Sequence, residues 1–363
     1  MKKTAAVLII AMLLSVAAAA ATGINLDAVF DSDLGFTGGL EEQIAENIPF
    51  KDELSALMTG IRYASGVRYF DGTYIGNDGS LIRDIESPSS RTVALTKNYV
   101  LSFAEEHHCG TYFMLIPTAA VIRQQEIASY AAENIYNQRH LINEMYSEFY
   151  GTLSTVDVYQ ALFNRRGEYI YYHTEDLPTN LGGFYIYQEL AARLNLRPKT
   201  LKEFSSAYAA HNFYGSLAEE KIKPYAASDF MSLYDYVGEQ KSFTVTHFYN
   251  DGTEYASEGL YSYDEEKFED KTDMVFGGLS PVMEINSGDE EGGTLLVFGD
   301  EAAKSWLPFL AVHYGKITFV DLNSASEGLL SEISVYDYDQ ALFAYSVGTF
   351  ASGIDFGKLD SLS

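Results

Sequence analysis

The segment that most constrains the fold of this chain is TLLVFGDEAAKSWLPFLAVHYGKITFVDL, residues 294–322. An apolar run ends in Gly299-Asp300, a helical pattern follows at once, and a second apolar run begins at Ile317. This order predicts a strand, a tight turn, a helix and a parallel strand. Because open α/β sheets place their functional residues at the carboxyl ends of the strands, we expect Asp300 and Glu301 to lie near the site of function.

Two further patterns favour an α/β fold. Residues 111–116 form an apolar run closed by a proline, which predicts a buried strand. Residues 180–194 have a helical pattern that either Thr179 or Asn180 can cap. Strands alternating with helices in this way are typical of a mostly parallel sheet flanked by helices.

Two segments depart from that alternation. Residues 68–84 alternate around Asn77-Asp78-Gly79, which is a strong signal for an N-terminal hairpin. Residues 205–290 are rich in Tyr, Gly, Asp and Glu and contain strand-like pieces. Because the parallel pattern returns at residue 294, we interpret them as a β-rich insertion and not as an independent domain.

Charge and composition exclude several classes of partner. Apolar residues make up 47% of the 363 residues, so the chain can bury a full core. The formal net charge of −27 would repel phosphates, and we therefore expect no nucleic-acid partner. The single cysteine, Cys109, permits neither an intrachain disulfide nor a cysteine metal cluster.

The first residues have the pattern of a secretory signal. Two lysines precede an apolar core, and small residues that suit a signal peptidase follow around Ala19. We expect residues 1–21 to be a signal peptide, 22–45 a tether and first helix, and 46–363 the folded domain. The alternative is an uncleaved membrane anchor, because the apolar run approaches the roughly 20 residues that a span needs. Export without disulfides indicates a bacterial envelope or extracellular location.

Seven short segments together support a family resemblance. They are YFDGTYIGNDGSLI (69–82), LIPTA (115–119), VDVYQAL (156–162), YYHTEDLPTNLGG (171–183), FYGSL (213–217), GGLSP (277–281) and FGDEAAKSWLPFLAVHYGKITFVDL (298–322). In this order they resemble the DHHW proteins, an exported bacterial family with an SGNH-hydrolase-like fold that is related to the acetyltransferase-like proteins of alginate export. The resemblance implies a triad in which a serine attacks an acyl group, a histidine removes its proton and an aspartate orients the histidine.

The motif that names the family is altered in this chain. The family pattern is Tyr-Tyr-x-Thr-Asp-His-His-Trp-Thr. Here the Asp position holds Glu175, the two His positions hold Asp176 and Leu177, and the Trp position holds Pro178. Leu177 has no lone pair, so it cannot act as the base that the resemblance implies.

Two other family patterns are also incomplete. In the Asp-Ser pair that ends a strand, Asp300 matches, but Glu301 stands at the serine position. In a Gly-Gly-Asn pattern, Gly277 and Gly278 match, and Leu279 stands at the Asn position. The resemblance therefore implies a site that has lost both its catalytic serine and its histidine.

The resemblance also predicts a binding rim. If the two loops meet as in the family, Glu175, Asp176, Asp300 and Glu301 converge there, together with the two glycines. Four adjacent carboxylates cannot all stay ionised without compensation, so either some have raised pKa values or a cation such as Ca²⁺ binds them. We expect no other cofactor. For Glu301 a structural role is the alternative, because a carboxylate at a helix N-terminus gains about 0.3–1 kcal/mol.

These features predict an exported, SGNH-hydrolase-like protein that acts as a non-catalytic binding or accessory factor. By family analogy, its partner would be a cell-envelope polysaccharide or a glycan-modifying enzyme. Contact with a membrane would come only from an uncleaved signal segment. The alternatives are an active carbohydrate esterase or O-acetyltransferase with a rearranged site, and a structural envelope protein.

Overall fold

The computed structural model describes residues 51–238 and 241–363. The chain divides into two compact units, Met1–Val67 with Glu220–Ile222 and Arg68–Glu219 with Lys223–Ser363. In the first unit the described element is helix α1, Lys51–Ala64. The predicted signal peptide and tether lie outside the described residues. Within those residues, no helix has both the length and the apolar character that crossing a bilayer requires.

The second unit contains the remaining described elements. Its helices are α2 (Ser90–Glu106), α3 (Ala119–Ile122), α4 (Ser129–Ala132), α5 (Gln138–Glu148), α6 (Tyr159–Asn164), α7 (Asn180–Arg193), α8 (Ala303–Ala311), α9 (Glu327–Leu330) and α10 (Val347–Ser352). Its strands are β1 (Tyr69–Phe70), β2 (Thr73–Ile75), β3 (Leu81–Arg83), β4 (Gly110–Ile116), β5 (Ser154–Val156), β6 (Phe204–Phe213), β7 (Asp229–Tyr236), β8 (Thr244–Phe248), β9 (Glu254–Glu258), β10 (Val282–Asn286), β11 (Gly293–Gly299), β12 (Tyr314–Val320) and β13 (Gln340–Ser346).

The central sheet has eight strands in the order β5-β4-β13-β11-β12-β10-β8-β9. The first five strands of this order pair in parallel. The last three continue the sheet in antiparallel pairing. This topology confirms the predicted α/β fold with a mostly parallel sheet flanked by helices.

The hairpin and the insertion also form. Strands β2 and β3 pair antiparallel on either side of the predicted turn, where Gly79 has a φ of +82°, a conformation that glycine adopts without strain. In the insertion, β8 and β9 extend the central sheet, whereas β6 and β7 form a separate two-stranded ribbon.

The core is built on both faces of strand β11, whose apolar run is continuous because neither face meets water. Leu295 and Val297 pack on one face with Trp306 of α8. Leu296 and Phe298 pack on the other face, in a cluster that includes the buried side of α2. A strand fixed on both faces leaves its carboxyl end, Gly299, at a defined position on the edge of the sheet.

Candidate binding cleft

A cleft of about 670 Å³ opens at the carboxyl end of β11. The loop before α7 contributes Glu175, Asp176 and Leu177 to its walls, and the turn before α8 contributes Asp300 and Glu301. The structure therefore brings together the two loops that carry the altered family motifs.

The lining of this cleft is strongly acidic. Besides the four carboxylates already named, Asp84 and Glu86 contribute to it, and Arg83 is the basic residue among the described residues that line it. Six carboxylates against one guanidinium create a negative potential, which a narrow cleft concentrates.

The loop that carries Glu175 and Asp176 has a narrow neck. The Ile170 carbonyl accepts a hydrogen bond from the Thr179 amide at 3.0 Å, and the Tyr172 amide donates to the Leu177 carbonyl at 3.2 Å. Thr179 also caps α7, as predicted, because its hydroxyl accepts from the Gly182 amide. The backbone itself thus sets the position of the loop.

A buried carboxylate, Asp229, anchors the start of the same loop. It accepts hydrogen bonds from the His173 amide at 2.5 Å and the Thr174 amide at 2.9 Å, and from the Tyr169 hydroxyl at 2.5 Å. The His173 ring lies 3.4 Å from the Ser228 carbonyl and does not line the cleft. His173 therefore does not contribute its ring to the cleft.

Glu175 is bound to the FYGSL segment. Its Oε2 accepts from the Ser216 amide at 2.7 Å, and its Oε1 accepts from the Ser216 hydroxyl at 2.6 Å. Both oxygens of this carboxylate are therefore used in joining two loops of the cleft wall.

The carboxylate of Asp176 differs from that of Glu175 in its hydrogen bonding. Its Oδ1 is buried without a hydrogen-bond partner. The pKa of Asp176 is raised to about 6, chiefly by burial, with smaller contributions from the nearby Glu175 and Asp300 carboxylates and against the lowering effect of Arg83. A carboxylate that is so poorly satisfied in the free protein is the strongest candidate for contact with a ligand.

Replacing Asp176 with asparagine is expected to stabilise the protein at pH 8 by about 2–3 kcal/mol, since each pKa unit corresponds to about 1.36 kcal/mol. Burial raises the pKa from 3.8 to about 6. The folded state therefore holds this proton more tightly than the unfolded state does, and the wild type loses stability as the pH rises through that interval. Urea unfolding of both proteins at pH 4 and pH 8 measures the effect.

The two proteins should have nearly the same stability at pH 4, where Asp176 is neutral in the fold. Asp251→Asn is a control of opposite sign, because hydrogen bonds from Thr253 lower the pKa of Asp251. If Asp176→Asn increased the free energy of unfolding equally at both pH values, the raised pKa of Asp176 would be contradicted.

Asp300 connects the ends of two neighbouring strands. Its Oδ2 accepts from the Ser346 amide at 2.8 Å, and its Oδ1 accepts from the Ala302 amide at 3.1 Å. Burial raises the pKa of Asp300, and hydrogen bonds from Thr349 and Ser346 partly offset the rise. Asp300 therefore accepts the backbone hydrogen bond at the start of α8. The position of Glu301 at the helix N-terminus had suggested that Glu301 would accept it.

Glu301 instead pairs with a buried lysine. Its Oε2 lies 3.2 Å from Nζ of Lys304, whose side chain is only 5% exposed. Nζ also donates to Asp273 at 2.6 Å and to Thr272 at 3.2 Å. Burial lowers the pKa of Lys304, but Glu301, Asp273 and Asp270 outweigh this effect and raise it overall, so the amine stays charged.

Gly277 and Gly278 do not line the cleft. Their φ angles are +82° and +93°, and a Cβ at Gly278 would lie 3.1 Å from Oδ1 of Asp273. Their place in the structure is thus the loop beside the Lys304 network, while Leu279 packs against the core. Their membership of a binding rim stays a prediction.

The calcium hypothesis also stays a prediction. Within residues 51–238 and 241–363, no group of three or more His, Cys, Asp or Glu side chains is arranged to hold a metal ion. Glu175, Asp300 and Glu301 each have protein donors instead.

The mostly parallel sheet, flanked by helices and with a Gly-Asp turn at the carboxyl end of β11, defines a protein of the α/β class. The model of the DHHW protein family matches residues 59–320, and the chain belongs to that family.

Solved structures agree with this fold. The chain is similar to a DHHW family protein from Eubacterium siraeum, with a TM-score of 0.62 and 18% identity over 80% of this chain and 99% of that one. It is similar to Bacillus cereus PatB1 with a sulfonyl adduct, with a TM-score of 0.63 and 15% identity over 79% and 98%. At such identities the likeness establishes the fold alone. A comparison with curated protein sequences gave no significant match.

Proposed function

We propose that this protein is exported to a bacterial cell envelope and binds a glycan in the acidic cleft without carrying out acyl-transfer chemistry. One observation carries the proposal. The family's serine and histidine positions hold Glu301 and Leu177, and none of the described residues that line the cleft is a histidine, cysteine or lysine.

Two of the hydroxyl groups that line the cleft are already engaged in hydrogen bonds within the protein. The Ser216 hydroxyl is bonded to Glu175 at 2.6 Å, and the Ser346 hydroxyl accepts from the Thr349 amide as the cap of α10. The Glu175 carboxylate beside Ser216 is held by the Ser216 amide as well as by its hydroxyl, and none of the described residues that line the cleft is a histidine that could act as the base. Glu301 is a weak nucleophile that is further stabilised by its ion pair with Lys304.

The same lining suits a polyhydroxylated ligand. Carboxylates accept strong hydrogen bonds from sugar hydroxyls. A hydroxyl that donates to Asp176 would supply the partner its carboxylate lacks. The excess of negative charge disfavours uronic acid polymers and favours neutral or amino sugars.

The purified protein is expected to hydrolyse p-nitrophenyl acetate and acetylated oligosaccharides no faster than its Glu301→Ala and Asp300→Asn variants, because none of the described residues that line the cleft is a histidine that could activate a nucleophile. In electrophoresis through gels that contain a neutral polysaccharide such as hydroxyethyl cellulose, the wild type should be retarded. Asp176→Ala should remove most of that retardation.

An activity control is the double variant Glu301→Ser with Leu177→His, which restores the residue types of the family triad. Measurable turnover by this variant alone would show that the assay can detect acyl chemistry in this cleft. If the wild type does turn over these substrates, and Glu301→Ala or Asp300→Asn abolishes that turnover, the result would instead favour the active esterase or O-acetyltransferase with a rearranged site.

A further inference from the structure

The two-stranded ribbon of β6 and β7 presents an aromatic face outside the central sheet. In its register Ser206 pairs with Tyr234, and Tyr208 pairs with Ser232. Each aromatic side chain thus has a hydroxyl side chain opposite it on the same face of the ribbon.

The aromatic rings of this face are ordered by their own contacts. Phe230 stacks on Tyr169, with ring centroids 4.4 Å apart and an angle of 19° between the planes. Tyr208 lies 5.7 Å from Phe230 and is 68% exposed. Large rings held in place but left accessible to solvent are typical of a recognition surface.

These residues border a groove of about 250 Å³. None of the described residues that line it is charged, although 21% of the chain is charged and the net charge is −27. Its polar side chains are all neutral, and those of Thr179, Asn180 and Tyr169 already make hydrogen bonds within the protein. The hydroxyls of Ser206, Ser232 and Tyr208 are the groups it presents to a ligand. The groove therefore offers ring faces and neutral hydrogen-bonding groups, with nothing to attract an ion.

The groove continues into a neighbouring recess and is therefore longer than one sugar ring. Tyr234 also lines a second recess of about 430 Å³, which is rich in aromatic residues and has charged residues at Asp235, Lys241 and Glu258. Because one side chain belongs to both hollows, they form a track along the ribbon that fits an extended ligand.

We propose that the track of Tyr208, Phe230 and Tyr234 binds a neutral oligosaccharide chain. The apolar C–H face of a pyranose ring packs on an aromatic face, while its hydroxyls bond to side chains at the groove edge. The uncharged lining of the groove that Tyr208, Phe230 and Tyr234 border favours a neutral ligand over a uronate or a phosphate there.

The track is a different surface from the acidic cleft, and the proposal stands whether or not the cleft binds a glycan. The two are nevertheless linked by one anchor. The Tyr169 hydroxyl in the groove wall donates to Asp229, and Asp229 also holds the Thr174 amide of the cleft loop.

Isothermal titration of the full chain with cellohexaose and chitohexaose tests the proposal, with an alginate hexasaccharide as the anionic comparison. Wild type should bind at least one of the neutral chains more tightly than the alginate. Tyr208→Ala should weaken that binding roughly tenfold or more, as truncation of an interfacial aromatic anchor does. Tyr208→Phe, which keeps the ring, should retain most of it, and so should Tyr150→Ala, a control at a tyrosine that is 90% exposed elsewhere.

The variants Tyr208→Ala and Asp176→Ala distinguish binding at the track from binding at the acidic cleft. Loss of binding in Tyr208→Ala but not in Asp176→Ala supports the track and counts against the cleft. Loss in Asp176→Ala alone overturns the track and supports the cleft. No binding of either neutral chain by the wild type also overturns it. A wild-type dimer that Tyr208→Ala converts to a monomer in sedimentation would also overturn the proposal, because the track would then hold a second copy of the chain.

Discussion

Replacing Gly182 with alanine is expected to destabilise the protein by more than about 4 kcal/mol, a loss at the extreme end of single substitutions. A Cβ at this position would lie 2.1 Å from the Ile170 carbonyl oxygen and 3.0 Å from its carbon, and both are backbone atoms. The same carbonyl accepts from the Thr179 amide, so it cannot move without opening the neck of the cleft loop. Urea unfolding followed by circular dichroism measures the loss.

Gly167→Ala is the matched control for this prediction. It makes the same chemical change in the same region, but a Cβ there would meet nothing within 4 Å. Its effect should stay within about 0.5 kcal/mol. If Gly182→Ala proved no more damaging than Gly167→Ala, the close approach of α7 to the loop neck would be refuted.

The sequence was sufficient to predict the elements that depend on local pattern. The continuous apolar run of β11 and the helical period after Asp300 predicted the parallel unit, which the pairing of β11 with β12 confirms. Thr179 was one of two predicted caps, with Asn180 the other, and it is the cap of α7. These predictions succeeded because period, capping and turn chemistry act over a few neighbouring residues.

The electrostatic partners of the cleft could not be predicted in this way. Asp273 meets Lys304 across 31 residues of sequence, and Asp229 meets Thr174 across 55. Such pairs form only once the insertion has packed on the central sheet, and no spacing rule marks them. The one local signal was the lysine three residues after Glu301, at a position where α8 is otherwise buried.

Lys304→Met is the second change with a large expected effect, a loss of about 2–4 kcal/mol of stability. Methionine keeps the length of the side chain but removes the charge that lies among Glu301, Asp273 and Asp270. Removing one member of a buried ion pair costs about 3–5 kcal/mol. Here the carboxylates remain 34–62% exposed, so water compensates part of the loss. Because the remaining charges repel one another, added salt should narrow the difference between the variant and the wild type.

A double-mutant cycle with Asp273→Asn distinguishes the ion pair from simple packing. If Nζ and Oδ1 at 2.6 Å form a real partnership, the double variant should lose less than the sum of the two single variants, by about 1 kcal/mol or more. Lys267→Met is the control, because Lys267 pairs with Asp264 at 3.5 Å with both side chains more than half exposed, and such pairs contribute about 0–1 kcal/mol. Additive losses would show that the Lys304 and Asp273 side chains contribute to stability independently, and the ion pair would then be refuted.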